Sequence, residues 1–484
     1  MKRSIRVALL LSAALAAPCP ALALSQRSVK QSVERALDRP AFANAFWGVE
    51  IRSLDSGRIL YARNASSNFK PASTLKLLTT AAALDAFGPD ERFRTTVETS
   101  GRLDGLGRIL GDVYLIGRGD PNLSGRFTGG HRTAAFEDMA DALVASGLRR
   151  IEGRLVGHEG YFRGERRGED WAWDDLVWWY GAEVSALSFN DNCADLTAAP
   201  GEQVGDPLLV EGQPRSSYYR VVSTATTSAA GVESDLTLTR EPGSNVIRLS
   251  GTHPLGQKPW DGSVALEDPA RYAVTVFAEV LERKGIHVAG GTATSSEPLP
   301  ASQRVLAGHE GPPLSEVLKE INKPSQNLHT EMLLRVLGAR VKGEGSVAKG
   351  HEALTEFLGR NGVTPGAGAL QDASGLSRSD LFVPHEIVNL LVAMDRHPHA
   401  RVFRESLPVA GVDGTLKNRM KGTPAEGRVQ AKTGSLRHVN ALAGYLTTVK
   451  GERLVFSFVV NHHTVPGREA TAAVDSILAE LVTR

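Results

Sequence analysis

The chain of 484 residues carries 55 Lys and Arg against 54 Asp and Glu, and 42% of its residues are hydrophobic. Because the charges balance and no basic block occurs, the composition excludes a nucleic-acid-binding surface of the usual kind. After the N-terminal segment no apolar run reaches the ~20 residues that a membrane helix needs, which excludes a membrane span in the processed chain. The length predicts two or three domains.

The first 23 residues are predicted to be a secretory signal peptide. A basic start is followed by an apolar stretch over 7–17, too short for a stable membrane anchor, and Ala21-Leu22-Ala23 has the small-x-small pattern of a cleavage site. In a bacterial cell this predicts a periplasmic protein. Cys19 lies inside the signal, so Cys193 alone remains after cleavage and no intramolecular disulfide is expected.

The first predicted elements of the processed chain are a strand-turn-strand hairpin and a buried helix. Residues 47–51 and 59–62 alternate apolar and polar positions around Asp55-Ser56-Gly57. The Ala- and Leu-rich run over 75–84 then predicts a helix, with Ser73 at its start as a good N-cap residue type.

The pattern changes near residue 96 and changes back near residue 295. Between them, short strand-like runs alternate with glycine-rich turns, at 111–117, 151–157, 207–212, 234–239 and 245–251, and two helices interrupt them, at 134–146 and 270–284. Helices return at 314–321, 326–337, 350–358 and 384–394, before strands at 430–433, 440–448 and 453–461 and a final helix at 469–482. The order predicts an α/β domain from residues 24–95 and 295–484, with an antiparallel sheet flanked by helices, interrupted by a β-rich insertion over 96–294.

Three short motifs occur in a fixed order: Ser73-Thr74-Leu75-Lys76, Ser325-Gln326-Asn327 and Lys432-Thr433-Gly434. Each is weak alone, because the chain holds two further Ser-x-x-Lys strings, ending at Lys70 and Lys349. Positions i and i+3 of a helix share a face, so Lys76 can reach the Ser73 hydroxyl. The apolar run beyond Lys76 predicts a desolvated lysine whose neutral amine can act as a base.

The third motif begins a predicted strand, on which Lys432 and Gly434 share one face. A glycine lets a substrate lie against the strand, while Lys432 and the Thr433 hydroxyl can hold a carboxylate. Together the three motifs indicate a serine acyl-transfer site whose base is a lysine. No metal or organic cofactor is expected: no His-Glu pair has a second His at i+4, as a zinc peptidase would require, and Gly117-Arg118-Gly119 lacks the third glycine of a dinucleotide loop. No Gly-x-Ser-x-Gly elbow occurs, which argues against an α/β-hydrolase.

These motifs and their neighbours resemble the low-molecular-mass class C penicillin-binding proteins, a D-alanyl-D-alanine carboxypeptidase/endopeptidase family. The resemblance extends over nearly the whole processed chain. It is carried by the three motifs with their flanks and by Leu110-Gly111-Asp112-Val113-Tyr114-Leu115, Gly119-Asp120-Pro121, Trp171-Ala172-Trp173-Asp174-Asp175, Ser188-Phe189-Asn190-Asp191-Asn192-Cys193, Asp372-Ala373-Ser374-Gly375-Leu376-Ser377-Arg378 and Gly411-Val412-Asp413-Gly414-Thr415-Leu416. It implies a penicillin-binding, serine β-lactamase-like transpeptidase domain, with two subdomains in the insertion that separates Ser73 from Ser325.

The resemblance also implies substrates and roles. Peptidoglycan stem peptides and β-lactam antibiotics are the expected partners. Ser73 would attack the carbonyl between two D-alanines while Lys76 takes its proton. Ser325, supported by Lys432, would pass a proton to the leaving group, and Asn327 would orient Lys76. Thr433 and Lys432 would grip the terminal carboxylate, and Gly434 would let the substrate lie against the strand. The backbone N–H groups of Ser73 and Ser435 would form the oxyanion hole.

Three further features of the sequence concern the surroundings of the site and the insertion. Arg378 resembles a family position near the pocket for the free end of the stem's diamino acid, and a surface salt bridge is the alternative. The acidic residue that some relatives carry before the Trp-x-Trp pair is not assigned within residues 164–170. Four of the six tryptophans fall between Trp171 and Trp179; packing in the insertion's core is favoured over stacking on sugar.

Two rival functions stay open. A serine β-lactamase or esterase on the same fold would turn over penicillin quickly, and the long insertion argues against it. A non-catalytic cell-wall binding protein would form no penicillin adduct, and it would have no use for the complete set of motif residues. The sequence also leaves open whether a terminal D-alanine is trimmed, cross-links are cut, or both.

Overall fold

A computed structural model of the chain describes residues 24–364 and 368–484; the predicted signal peptide lies outside the described residues. The helices of the described part are α1 Gln26–Leu37, α2 Lys76–Phe87, α3 Ala134–Ala145, α4 Pro269–Arg283, α5 Leu314–Asn322, α6 Asn327–Lys342, α7 Val347–Arg360, α8 Pro384–Asp395, α9 Ala400–Ser406 and α10 Gly467–Thr483.

The strands of the same part, in chain order, are β1 Phe46–Ser53, β2 Ile59–Arg63, β3 Arg92–Thr99, β4 Arg102–Leu103, β5 Arg108–Leu110, β6 Val113–Ile116, β7 Arg150–Ile151, β8 Leu155–His158, β9 Cys193–Ala199, β10 Leu209–Gln213, β11 Arg220–Ser223, β12 Thr226–Ser228, β13 Asp235–Arg240, β14 Val246–Pro254, β15 Trp260–Ala265, β16 His287–Val288, β17 Thr292–Ser295, β18 Arg304–Pro313, β19 Val429–Leu436, β20 Val439–Thr447 and β21 Arg453–Asn461.

A five-stranded antiparallel sheet joins the two ends of the chain, in the order β19-β20-β21-β1-β2. Helices α1 and α10 pack on one face, and their apolar side chains form one core with the strands. The other face packs on α8 and a bundle of helices around α2. The predicted α/β class, with an antiparallel sheet flanked by helices, is confirmed.

Helix α2 lies at the centre of that bundle. Its residues from Lys76 to Leu84 are all buried, as expected for a helix that is apolar on every side. The prediction that Ser73 caps this helix is wrong. Ser73 lies inside a 3₁₀ turn, Ala72–Leu75, that runs directly into α2, and Leu75 before the first α-helical residue already has helical dihedrals.

The insertion is rich in β-structure, as predicted. Together with β3 and β18, which cross or lie beyond its predicted boundaries, its described strands form a five-stranded sheet β17-β8-β6-β3-β18, two four-stranded sheets and a three-stranded sheet, with α3 and α4 in their shared core. The predicted strand 151–157 is broken into β7 and β8. Between them Gly153 packs so closely on the preceding turn that a Cβ would lie 2.4 Å from the Gly111 carbonyl oxygen. The domain boundaries near 95 and 295 stay a prediction; the strands next to them, β3 and β18, pair with each other in the insertion's sheet.

Over the residues that the structure describes, none of the helices has both the length and the apolar character required to cross a membrane.

Candidate active site

The 3₁₀ turn before α2 presents Ser73 half-exposed and Lys76 fully buried. Ala72, at the start of the turn, has a left-handed backbone with φ of 47°. The loop that contains Gly375 packs so closely against Ala72 that a Cβ at Gly375 would lie 2.0 Å from the Ala72 carbonyl oxygen. Glycine is therefore needed at 375 for this loop to approach the turn that carries Ser73.

Lys76 Nζ contacts three oxygens: Ser73 Oγ at 2.8 Å, Asn327 Oδ1 at 2.6 Å and the Ser374 carbonyl at 2.7 Å. The last two can only accept hydrogen bonds. A neutral amine has two hydrogens and one lone pair, so donation to these two acceptors leaves the lone pair facing the Ser73 hydroxyl. The arrangement is that of a base poised to take the serine proton.

Burial lowers the pKa of Lys76 to about 7, against the attraction of Asp372, Glu331 and Asp380, which raises it. Without those carboxyl groups the amine would lose its proton at still lower pH. Lys76 is therefore about half neutral near pH 7, where an exposed lysine stays charged.

The loop after residue 371 holds the Ser374 carbonyl in place through buried carboxylates. Asp372 accepts backbone hydrogen bonds from Gly375 at 2.6 Å and Ser377 at 2.8 Å. Glu331 on α6 accepts from the amides of Ala373 and Ser374, both at 2.9 Å. These acidic residues were missed as site residues in the sequence, although Asp372 lies in a segment that carries the family resemblance.

Ser325 and Lys432 form the second half of the site. Lys432 Nζ donates to Ser325 Oγ at 2.8 Å and to the Thr433 carbonyl at 2.9 Å. Lys432 is fully buried, and burial together with the nearby charge of Lys76 lowers its pKa well below the ordinary value. Ser325 has a left-handed backbone with φ of 69°, a costly conformation for a residue with a side chain.

Asn327 links the two halves, because it is the first residue of α6 and faces Lys76. Its Oδ1 accepts from Lys76, while its Nδ2 donates to the Tyr180 carbonyl of the insertion at 2.8 Å. The second bond fixes which end of the amide faces the lysine.

Strand β19 lies directly against the turn that carries Ser73. A Cβ at Gly434 would lie 2.9 Å from the Pro71 carbonyl oxygen and 3.1 Å from the Ser73 amide nitrogen. Thr433 Oγ1 donates to Thr415 Oγ1 at 2.8 Å, and Ser435 is exposed at the strand's end. The structure thus brings together the three motifs, which lie far apart in the sequence.

Arg378 is partly exposed and pairs with Asp175, its Nη1 lying 2.8 Å from Asp175 Oδ2. Asp175 is buried and follows the Trp-x-Trp pair, so the acidic neighbour of Arg378 lies beyond the segment 164–170. From that segment, Asp170 accepts a hydrogen bond from the adjacent Ser379.

The four clustered tryptophans differ in their surroundings. Trp178 packs against the insertion's core, as predicted, and Trp171 Nε1 donates to Asp372 at 2.9 Å. The core-packing prediction is wrong for Trp173, which is 85% exposed, because it lies on a surface segment rather than in a sheet.

The Ser-x-x-Lys string that ends at Lys349 has an ordinary structural role. The Ser346 side chain caps α7 by accepting from the Lys349 amide, and Lys349 pairs with Glu352 at the surface. Within residues 24–364 and 368–484, no cluster of His, Cys, Asp and Glu is suited to a metal ion.

Comparison with known proteins gives a consistent result. The model of the D-Ala-D-Ala carboxypeptidase 3 (S13) family matches residues 29–481. A D-alanyl-D-alanine carboxypeptidase of Actinomadura sp. (strain R39) is 35% identical over 450 residues, which cover 90% of this chain and 82% of that protein. The D-alanyl-D-alanine carboxypeptidase DacB of Haemophilus influenzae is 28% identical over 431 residues, 87% of each chain.

Solved structures share the fold. The crystal structure of penicillin-binding protein 4 of Haemophilus influenzae superimposes with a TM-score of 0.79 at 24% identity, covering 95% of this chain and 98% of that one. Because the family model matches almost the whole chain and the Actinomadura relative exceeds 30% identity, this chain belongs to the D-Ala-D-Ala carboxypeptidase 3 (S13) family.

Proposed function

We propose that the chain is a serine DD-peptidase that cleaves the D-Ala-D-Ala bond, the D-Ala–diamino acid cross-link of peptidoglycan, or both, through an acyl-enzyme on Ser73. The observation that carries the proposal is the surroundings of Lys76, whose two acceptors leave its lone pair for the Ser73 hydroxyl. Family membership supports the same reaction class.

In the acylation step, Ser73 Oγ forms a bond to the D-alanine carbonyl carbon as Lys76 takes its proton. The negative charge on the carbonyl oxygen would be received by the backbone N–H groups of Ser73 and Ser435. The C–N bond then breaks, and the leaving amine takes a proton through Ser325, whose hydroxyl is held by Lys432. A water molecule attacks the ester in the second step and restores Ser73.

The substrate is held at both ends of this site. Lys432 and Thr433 in the middle of β19 offer an amine and a hydroxyl as donors to the terminal carboxylate, and Gly434 lets the strand lie directly against the turn that carries Ser73. At the other end, Arg378 and Asp175 form a pair of opposite charges. A diamino acid ends in a carboxylate and an ammonium group, so we assign the carboxylate to Arg378 and the ammonium to Asp175.

Penicillin should acylate the same serine, since its ring amide takes the place of the D-alanine peptide bond. The Haemophilus influenzae relative has been solved in complex with a β-lactam. A periplasmic location follows from the proposed signal peptide, and peptidoglycan stem peptides are the proposed partners.

The proposal is tested by mass spectrometry of the intact protein and its peptides after incubation with penicillin. We expect a long-lived adduct on the peptide that contains Ser73. It should be absent from Ser73→Ala and present in the control Ser346→Ala, which alters the unrelated Ser-x-x-Lys string. Rapid loss of the adduct with release of hydrolysed penicillin would favour the β-lactamase instead, and no adduct at all would favour the binding protein.

A further inference from the structure

An unusual turn in the insertion reaches the catalytic motifs. Asn190, Asp191 and Asn192 are consecutive non-glycine residues in the left-handed region, with φ of 47°, 52° and 57°. Each such residue costs free energy, although Asn and Asp tolerate the conformation better than most. Strained backbone of this kind persists only where the surroundings over-determine it, and it concentrates at functional sites.

The turn is held by its own side chains. Asn190 Nδ2 donates to the Cys193 carbonyl at 2.9 Å, and Asn192 Oδ1 accepts from the Phe189 amide at 3.1 Å. Asn192 Nδ2 donates to the Glu183 carbonyl at 2.8 Å. With both flanking residues fixed in this way, the middle residue, Asp191, points out of the insertion.

The Asp191 carboxylate contacts α6 and the residue before it. Gln326 Nε2 donates to Asp191 Oδ2 at 3.1 Å, and His329 Nε2 lies 3.0 Å from Asp191 Oδ1. Gln326 and His329 are both fully buried. Arg126 of the insertion balances the carboxylate, with Nε 3.0 Å from Oδ2, and also pairs with Glu320 on α5 at 3.0 Å.

Gln326 is the middle residue of the Ser325-Gln326-Asn327 motif, so hydrogen bonds that hold the Gln326 side chain also restrain the positions of Ser325 and Asn327. Its Oε1 caps α6 by accepting from the Leu328 amide at 2.9 Å, while its Nε2 donates to Asp191. The amide is therefore bound at both ends. Ser325, directly before it, holds the unfavourable φ of 69° in which its hydroxyl meets Lys432.

We propose that Asp191 is a positioning residue for catalysis: the strained turn of the insertion uses its carboxylate to hold Gln326, and through it the Ser325 and Asn327 side chains, against Lys432 and Lys76. This inference rests on the proposed function. It gives the insertion a part in the chemistry, because two of its residues bind the motif. Asp191 accepts from Gln326, and the Tyr180 carbonyl accepts from Asn327.

The test compares Asp191→Asn with Asp112→Asn. The first variant keeps the shape of the side chain, and Arg126 keeps Glu320 as a partner. The second removes a comparable carboxylate of the insertion, which accepts from the Arg154 amide and guanidinium and does not contact the motif. The measured quantities are the rate constant for acylation of Ser73 by penicillin, its dependence on pH, and the thermal unfolding midpoint.

We expect Asp191→Asn to slow acylation about tenfold or more, because a charge-assisted hydrogen bond to a buried group is lost. The pH midpoint of acylation should stay near that of wild type, since the substitution leaves the burial of Lys76 and its neighbours Asp372, Glu331 and Asp380 in place. Asp112→Asn should acylate like wild type. Gln326→Ala should slow the reaction similarly, and the double variant should be no slower than the slower single variant.

Wild-type rates in a folded Asp191→Asn protein would overturn the inference, as would independent, multiplying effects of the two substitutions. Asp191→Asn could also lower the thermal unfolding midpoint and lose acylation rate only at temperatures above that midpoint. That result would overturn the inference too, since the role of Asp191 would then be structural. Failure of the proposed function looks different: the wild-type protein itself would form no adduct on Ser73.

Discussion

The protonation state of Lys76 makes a prediction about pH that can be worked out in numbers. Acylation needs the neutral amine, so the rate rises with pH as Lys76 loses its proton. With a pKa of about 7, the neutral fraction is about 10% at pH 6 and about 90% at pH 8. The acylation rate should therefore rise roughly tenfold over this range and bend to a plateau, with its midpoint near pH 7.

An unperturbed lysine would behave differently. With a pKa near its ordinary value of 10.5, the neutral fraction would rise about hundredfold between pH 6 and pH 8 with no bend. The difference corresponds to a net penalty of roughly 5 kcal/mol on the charged form, after the attraction of the neighbouring carboxyl groups has offset part of the cost of burial. The shape of the curve, rather than the absolute rate, thus distinguishes a buried base from an exposed one.

The assay is the second-order rate constant for penicillin acylation of Ser73, followed by quenched mass spectrometry from pH 5.5 to pH 9. This constant reports the pKa of the free enzyme. Lys349→Ala, which removes a surface lysine of the other Ser-x-x-Lys string, should give the wild-type curve. Lys76→Arg should lose acylation, because a guanidinium stays charged throughout this range. A curve that climbs tenfold per pH unit up to pH 9, or an active Lys76→Arg variant, would refute the reasoning.

Three other predictions concern the site and the core of the insertion. Gly434→Ala should slow acylation at least tenfold, because the new methyl group would push β19 away from the Ser73 turn. The control is Gly359→Ala, where a Cβ meets open space. Equal acylation rates in the two variants would contradict the account. Arg378→Ala should weaken kcat/KM for stem peptides with a free diamino acid end by about tenfold to a hundredfold. It should leave penicillin acylation unchanged, whereas an equal loss on both substrates would show a structural role. Burial raises the pKa of the Cys193 thiol well above its ordinary value, so peptide mapping should find it alkylated only after unfolding; rapid labelling of the native protein would contradict its burial.

Much of the fold could be predicted from local patterns. The hairpin β1–β2, helix α2 and the three C-terminal strands follow from alternation, turn residues and apolar runs. Helix α1 was missed although its signal was present: Val29, Val33 and Leu37 recur every four residues after the N-cap Ser25. The N-cap assignment of Ser73 failed because serine also suits a 3₁₀ turn, and here the turn is fixed by packing against Gly375 and Gly434.

The rest of the site depends on contacts between distant segments, which no local pattern carries. Motif order predicted that Ser73, Lys76, Ser325 and Lys432 belong to one site. It did not predict that the Ser374 carbonyl is the third partner of Lys76 or that Asp175 faces Arg378, since those pairs are 298 and 203 residues apart. The contact of Asp191 with Gln326, across 135 residues, has the same origin.

The central claim is that Ser73 attacks a D-alanine carbonyl in peptidoglycan, and mass spectrometry of defined muropeptides tests it most directly. Monomeric pentapeptides and cross-linked dimers would be incubated with the wild-type protein and with Ser73→Ala. The account predicts loss of terminal D-alanine, splitting of dimers, or both, with wild type alone. Unchanged substrates in the presence of folded wild-type protein, or equal turnover by Ser73→Ala, would contradict it.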